Sequence, residues 1–133
     1  MPTLANITVK KADGTTDVTY TAVAGSAGDK TPAVFRNNTV GTTIAERPSL
    51  LVSSRDNGPK TGRRVEINYS WPITAQDAGG NKTITGRMTG SCSVLIPKNQ
   101  DASVIAEQAA QFGNLIGSTL VKASFNEGFA PRS

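Results

Sequence analysis

From Arg64 to Trp71 polar and apolar side chains alternate without a break: Arg64, Glu66, Asn68 and Ser70 fall on one side, Val65, Ile67, Tyr69 and Trp71 on the other. A period of two marks an antiparallel strand wetted on one face and packed on the other. The preceding segment follows the same rule with one polar intruder: Arg47, Ser49, Leu51, Ser53 and Arg55 oppose Pro48, Leu50, Val52 and Ser54. Between the two, Asp56-Asn57-Gly58-Pro59 supplies turn chemistry. Beyond the flexible stretch Ala78-Gly79-Gly80-Asn81, a third long segment sets Ile84, Met88, Cys92, Val94 and Ile96 against Thr83, Thr85, Arg87, Thr89, Ser91 and Ser93. Three consecutive long strands therefore predict a meander with one apolar face and one face of Arg, Ser, Thr and Asn.

Shorter strands are expected ahead of it, at Ile7 to Lys10 and Asp17 to Val23, joined by a turn at Ala12-Asp13-Gly14. Another is expected at Ala33 to Arg36, after a polar loop from Gly25 to Lys30. After Pro97 the period changes: Ile105, Ala109, Phe112, Ile116 and Leu120 recur at helical spacing, with Asp101 as N-cap candidate. Gly113-Asn114 and Gly117 should bend or split this run into two short helices, and Asn126 to Ser133 reads as surface strand or coil. The sheet's apolar side then needs a cover. Either the helical segment folds back over its own sheet, or it is exchanged with that of a second subunit.

With 133 residues a single domain, 1–133, is the expectation. Apolar residues make up 37% of the chain and aromatics 5%, lean enough to favour burying further surface against a partner chain. The one cysteine, Cys92, excludes an intrachain disulfide and a thiolate metal cluster; it lies on the apolar side of its strand and is expected to be a buried thiol. There is no histidine, which removes the commonest general base and metal ligand. No acid–base, nucleophile or metal constellation is apparent, so neither an enzyme nor a cofactor is expected. No apolar run is long enough to span a bilayer, and the start of the chain lacks an export signal, so no membrane partner is expected.

The net charge of +4 sits in the middle of the chain. Between positions 47 and 87 there are seven bases, Arg47, Arg55, Lys60, Arg63, Arg64, Lys82 and Arg87, against three acids, Asp56, Glu66 and Asp77; elsewhere the charges balance. A basic window on the wet face of a sheet suits a polyanion: arginines and lysines for phosphates, serine, threonine and asparagine for sugar edges and bases. Its plainer reading is a solvated face that serves solubility. Exposed aromatics for base stacking are not evident there, since Tyr69 and Trp71 fall on the apolar side. Gly28-Asp29-Lys30-Thr31 approaches the end of a phosphate-binding loop, but Val23 stands where that pattern needs a glycine.

Several stretches together resemble the coat proteins of single-stranded RNA bacteriophages of the levivirus type. They are Leu50 to Lys60, Arg63 to Trp71, the strand ending Ser93-Val94-Leu95-Ile96-Pro97, and the helical segment opened by Asp101. The likeness lies in order and spacing over nearly the whole chain. It implies an α+β fold: an N-terminal hairpin (1–24), a five-stranded antiparallel sheet (32–97) and two C-terminal helices (101–125). Two such chains would intertwine so that helices lie over the partner's sheet, giving a dimer with a continuous ten-stranded sheet. Dimers would build an icosahedral shell around single-stranded genomic RNA, in a virion assembled in a bacterial cytoplasm, with no small-molecule substrate.

Carried over by position, Arg47, Ser49, Ser53, Arg55, Lys60, Arg64, Asn68, Arg87 and Thr89 would face the RNA. The loop Ala75, Gln76, Asp77, Ala78, Gly79, Gly80 and Asn81 would lie at the shell vertices, its glycine pair giving the freedom that two shapes demand. Ile105, Ala109, Phe112, Ile116 and Leu120 would form the dimer interface. In that family an RNA hairpin on the dimer acts as assembly signal and translational operator. This chain departs from the pattern in placing Glu66 among the basic side chains and in having Gly86, Arg87 and Met88 near the place where relatives stack a base on tyrosine. The alternative is a freestanding cellular RNA-binding module, which needs neither vertex loop nor intersubunit helices.

Overall fold

The computed structural model describes residues 2–39 and 43–132, so the two ends of the expected domain, Met1 and Ser133, lie outside the described residues. The chain falls into two compact units, Met1–Ile96 and Pro97–Ser133.

The first unit is an antiparallel sheet whose strand order equals the chain order: β1 (Ile7–Lys10), β2 (Asp17–Ala24), β3 (Ala33–Arg36), β4 (Ser49–Asp56), β5 (Gly62–Gln76) and β6 (Lys82–Pro97). The β1–β2 turn is closed by Asp13, whose carboxylate accepts from the Thr15 and Thr16 backbone N–H groups, each at 2.9 Å, and from the Thr16 hydroxyl at 2.6 Å. Gly14 takes the left-handed conformation that the turn requires, with φ of 75°.

Six strands stand where five were expected, because β2 serves both the hairpin and the main sheet. It pairs with β1 (Val9 opposite Val18) and with β3 (Thr21 opposite Arg36, Ala22 opposite Phe35). The register slips between Ala22 and Ala24, the kind of irregularity that bends a strand. Counted from β2 to β6 the strands number five, and β1 extends them. A strand shared between two pairings carries one alternation pattern, so the sequence alone does not reveal that it is used twice.

In the β4–β5 ladder Leu50 lies opposite Tyr69 and Val52 opposite Ile67 on one face. Phe35, opposite Leu50, is buried. On the same face Tyr20 meets Tyr69 edge to face, with ring centroids 6.5 Å apart and the hydroxyl oxygens 3.4 Å apart. Burial, helped by the Tyr20 hydroxyl, pushes the Tyr69 phenol above its ordinary range. Between β3 and β4, Asn37 is buried: its N–H donates to the Pro48 carbonyl, and its side-chain oxygen accepts from the Thr39 N–H and hydroxyl. A single 3-10 turn, Ile44–Glu46, leads into β4.

Towards β6 the apolar face is open. Ile84 and Met88 are 43% and 48% exposed, and Cys92 is half-buried rather than the buried thiol expected. β6 closes the strand order, so it has a sheet neighbour on one flank only.

The second unit is a helix pair, α1 (Ala102–Ile116) and α2 (Thr119–Glu127). Asp101 caps α1 as expected, its carboxylate accepting from the Ser103 N–H at 2.9 Å, and that bond holds its carboxyl below the usual range. α1 runs unbroken through Gly113-Asn114, so the expected split occurs only at Gly117-Ser118. There the Ser118 hydroxyl donates to the Leu115 carbonyl and accepts from the Val121 N–H, ending one helix and capping the next. Gly128, with φ of 77°, ends α2, and coil begins there rather than at Asn126. No side chain of either helix is buried. Leu115, Leu120 and Phe125 are each more than half exposed.

Candidate nucleic-acid interface

The register of β4 against β5 fixes what shares the polar face. Ser49 lies opposite Ser70, Leu51 opposite Asn68, Ser53 opposite Glu66 and Arg55 opposite Arg64. Neighbouring strands extend it. β3 places Arg36 opposite Ser49 and Val34 opposite Leu51. From β6, Ser93 accepts a hydrogen bond from Arg64 and Arg87 donates one to Ser70, both at 2.8 Å. Between these rows lies an open depression lined by Ser49, Leu51, Asn68, Ser70, Thr89 and Ser91.

The arginines here have different partners. Arg55 and Arg64 face each other directly, a like-charge pairing that is unfavourable unless each has somewhere to turn. Arg55 turns to Glu66, forming an ion pair at 2.9 Å with both side chains more than a third exposed. Arg64 turns to β6 and the Ser93 hydroxyl. Arg63, one residue along, emerges on the opposite face. It donates to both carboxylate oxygens of Asp29, at 2.8 and 3.2 Å, to Asp56 at 3.1 Å and to the Ser54 hydroxyl at 3.1 Å. Its hydrogen bond holds the Asp29 carboxyl below the usual range, and the Asp29 and Asp56 carboxylates raise the guanidinium in turn.

Of the nine positions carried over by resemblance, the strands bring Ser49, Ser53, Arg55, Arg64, Asn68, Arg87 and Thr89 onto one face. Arg47 stands just before β4 at the end of the 3-10 turn, where it reaches the Asn38 side chain at 3.4 Å. Lys60 lies in the β4–β5 turn, with φ of 58° and its N–H donating to the Asn57 carbonyl. Arg36 and Leu51 also lie on this face, although neither is among the nine positions carried over. A four-residue strand is too short for its alternation to be legible, and only pairing with Ser49 reveals where Arg36 lies. Leu51, apolar on a wet face, is visible as an exception in the pattern, and the structure places it in the depression.

Of the seven loop positions, Ala75 and Gln76 are the last residues of β5, and 77–81 form the turn. One oxygen of Asp77 accepts from the N–H groups of Gly79 and Asn81, each at 2.9 Å, and Gly80 takes φ of 83°. Ile105, Ala109, Phe112 and Ile116 sit in α1, and Leu120 in α2. Among the described residues no group of three or more His, Cys, Asp or Glu is placed to hold a metal ion. Among the described residues no helix is long and apolar enough to cross a membrane.

No protein-family model matches the sequence, and no curated protein sequence does. Solved structures do match the fold. The virus-like particle of Beihai levi-like virus 21 superposes with a TM-score of 0.78 at 22% identity, covering 99% of this chain and 100% of that one. The virus-like particle of bacteriophage NT-214 gives 0.79 at 16% identity, over 98% and 100% of the two chains. The capsid protein of bacteriophage GA gives 0.70 at 17% identity, over 92% and 93%. From the hairpin to the capped helix pair, the chain has the coat-protein fold of levivirus-like bacteriophages.

Proposed function

We propose that this chain is a structural capsid subunit, not an enzyme, which dimerises, assembles into an icosahedral shell and packages single-stranded RNA against the polar face of its sheet. The observation that carries the reading is the nearly whole-length match: chains from virus-like particles are covered over their full length by 98–99% of this one.

Two features support a dimer. β6 leaves one flank of its backbone without a sheet neighbour over a sixteen-residue strand, a row of donors and acceptors that a second β6 would satisfy. Joined there, strands β2 to β6 of two copies give ten, and the two β1 strands extend the sheet to twelve. The helices, for their part, bury none of their apolar side chains within their own unit, and burying Phe112, Ile116 and Leu120 against a second chain is the direct remedy. The polar face offers net positive charge, hydroxyls and Asn68 for phosphate and sugar contacts. A hairpin operator would use the same face, making the protein a translational repressor as well.

Expression in bacteria followed by electron microscopy, with nucleic acid content measured on the same fraction, tests the reading. Uniform RNA-filled particles are expected. A small soluble species at every salt concentration would favour a freestanding RNA-binding module instead.

A further inference from the structure

The polar-face arginines of β4, β5 and β6 are of two chemically different kinds. Arg55 is charge-compensated by Glu66, 2.9 Å away. Arg64 and Arg87 are held by serine hydroxyls, Ser93 and Ser70, each at 2.8 Å. A hydroxyl fixes the direction of a guanidinium without cancelling its charge, whereas a carboxylate does both. A phosphate approaching Arg55 must compete with Glu66 and meets its repulsion. One approaching Arg64 or Arg87 finds a full positive charge already oriented, with several N–H donors still to offer.

Resting on the RNA-packaging reading above, we propose that Arg64 and Arg87 are phosphate contacts of this face, that Ser93 and Ser70 are their positioning residues, and that Glu66 withholds Arg55 from the same role. Glu66 thereby limits how tightly each subunit grips RNA. The geometry explains why an acid is placed in a basic field. Arg55 and Arg64 are directly opposite, and the carboxylate draws one of them aside, leaving the other to lean towards β6.

The salt dependence of binding separates the three roles, because its slope counts phosphates neutralised. Each contact to a single strand contributes about 0.7 to the slope of log K against log salt. A mixed-sequence single-stranded RNA oligonucleotide is titrated onto purified dimers over a salt series. Arg64→Ala and Arg87→Ala should each flatten the slope by about 0.7 per site, Arg55→Ala should leave it unchanged, and the near-isosteric Glu66→Gln should steepen it by about 0.7 as Arg55 is released. Ser93→Ala and Ser70→Ala should weaken binding several-fold at unchanged slope, and Ser93→Thr, which keeps the hydroxyl, should restore it.

Equal flattening by Arg55→Ala and Arg64→Ala, or an unchanged slope in Glu66→Gln, overturns the division of roles while leaving the packaging reading intact. Absence of salt-dependent RNA binding by the unaltered protein overturns that reading and this proposal with it. Glu66→Gln and Arg55→Ala leave Arg64 and Arg87 untouched, so they decide the matter even if Arg64→Ala fails to fold.

Discussion

Arg63 and Asp29, 34 positions apart in sequence, form a two-pronged ion pair with nitrogen–oxygen distances of 2.8 and 3.2 Å, which fastens the loop before β3 to the start of β5. The same loop is held by the Lys30 N–H donating to the Ser54 carbonyl at 3.0 Å. Replacing Arg63 by Ala should therefore release the loop while the ladder between β4 and β5 stays formed. Hydrogen exchange at the Lys30 amide should accelerate, with amides of the β4–β5 ladder little changed. Equal acceleration throughout the sheet would mean that the pair stabilises the fold as a whole. Because the folded-state carboxyl of Asp29 is depressed, its contribution is present above the ordinary value of 3.8 and is lost as pH falls through the lower folded value, so acid should loosen the loop in the unaltered protein too.

Asp13 offers a cleaner titration. Hydrogen bonds from the Thr16 hydroxyl, the Thr16 N–H and the Thr15 N–H hold its carboxyl down to about 2. The turn should keep its geometry as pH falls below 3.8 and open only as pH passes through about 2. Amide shifts of Thr15 and Thr16 followed by NMR would report this directly. A midpoint near the ordinary carboxylate value would show that the three bonds do not persist in solution.

Gly62 opens β5 where the chain passes close to the end of β6. A Cβ there would lie 2.8 Å from the Ile96 carbonyl oxygen and 3.2 Å from Leu95 Cδ1, and backbone cannot yield as a flexible side chain does. Gly62→Ala should cost about 1–3 kcal/mol in urea unfolding, the usual range for forcing an extra carbon into a filled site. An unchanged midpoint would mean that the strand ends separate easily.

A charge on the helices' apolar stripe tests dimerisation. Phe112 is 39% exposed in the single chain and Ile105 is only partly covered. Phe112→Asp or Ile105→Asp should abolish dimers and shells, since a carboxylate would enter an apolar intersubunit layer. Light scattering coupled to size exclusion measures it. A mutant that still assembles would place the interface elsewhere.

Much of this fold is legible in the chain because strict alternation has one physical meaning. The polar row of β5, Arg64, Glu66, Asn68 and Ser70, lies where the period of two puts it. The helix start at Asp101 is legible because a capping carboxylate followed by apolar residues at helical spacing is a local signal. What escaped depends on neighbours distant in sequence. The double duty of β2, the place of Arg36 beside Ser49 and the choice of Arg55 rather than Arg64 as partner of Glu66 are facts about pairing, and a one-dimensional pattern contains no pairing. The persistence of α1 through Gly113 has a different cause: a single glycine costs a helix only about 1 kcal/mol, and a longer regular helix outweighs that.

A sheet in which each strand lies beside its predecessor has a bearing on how the molecule forms. Every hairpin can close as soon as its second arm leaves the ribosome, and no strand must wait for a distant one or thread between two already in place. The entropic cost of ordering is met in small loops, one after another. Synthesis thus delivers the sheet before the helix pair.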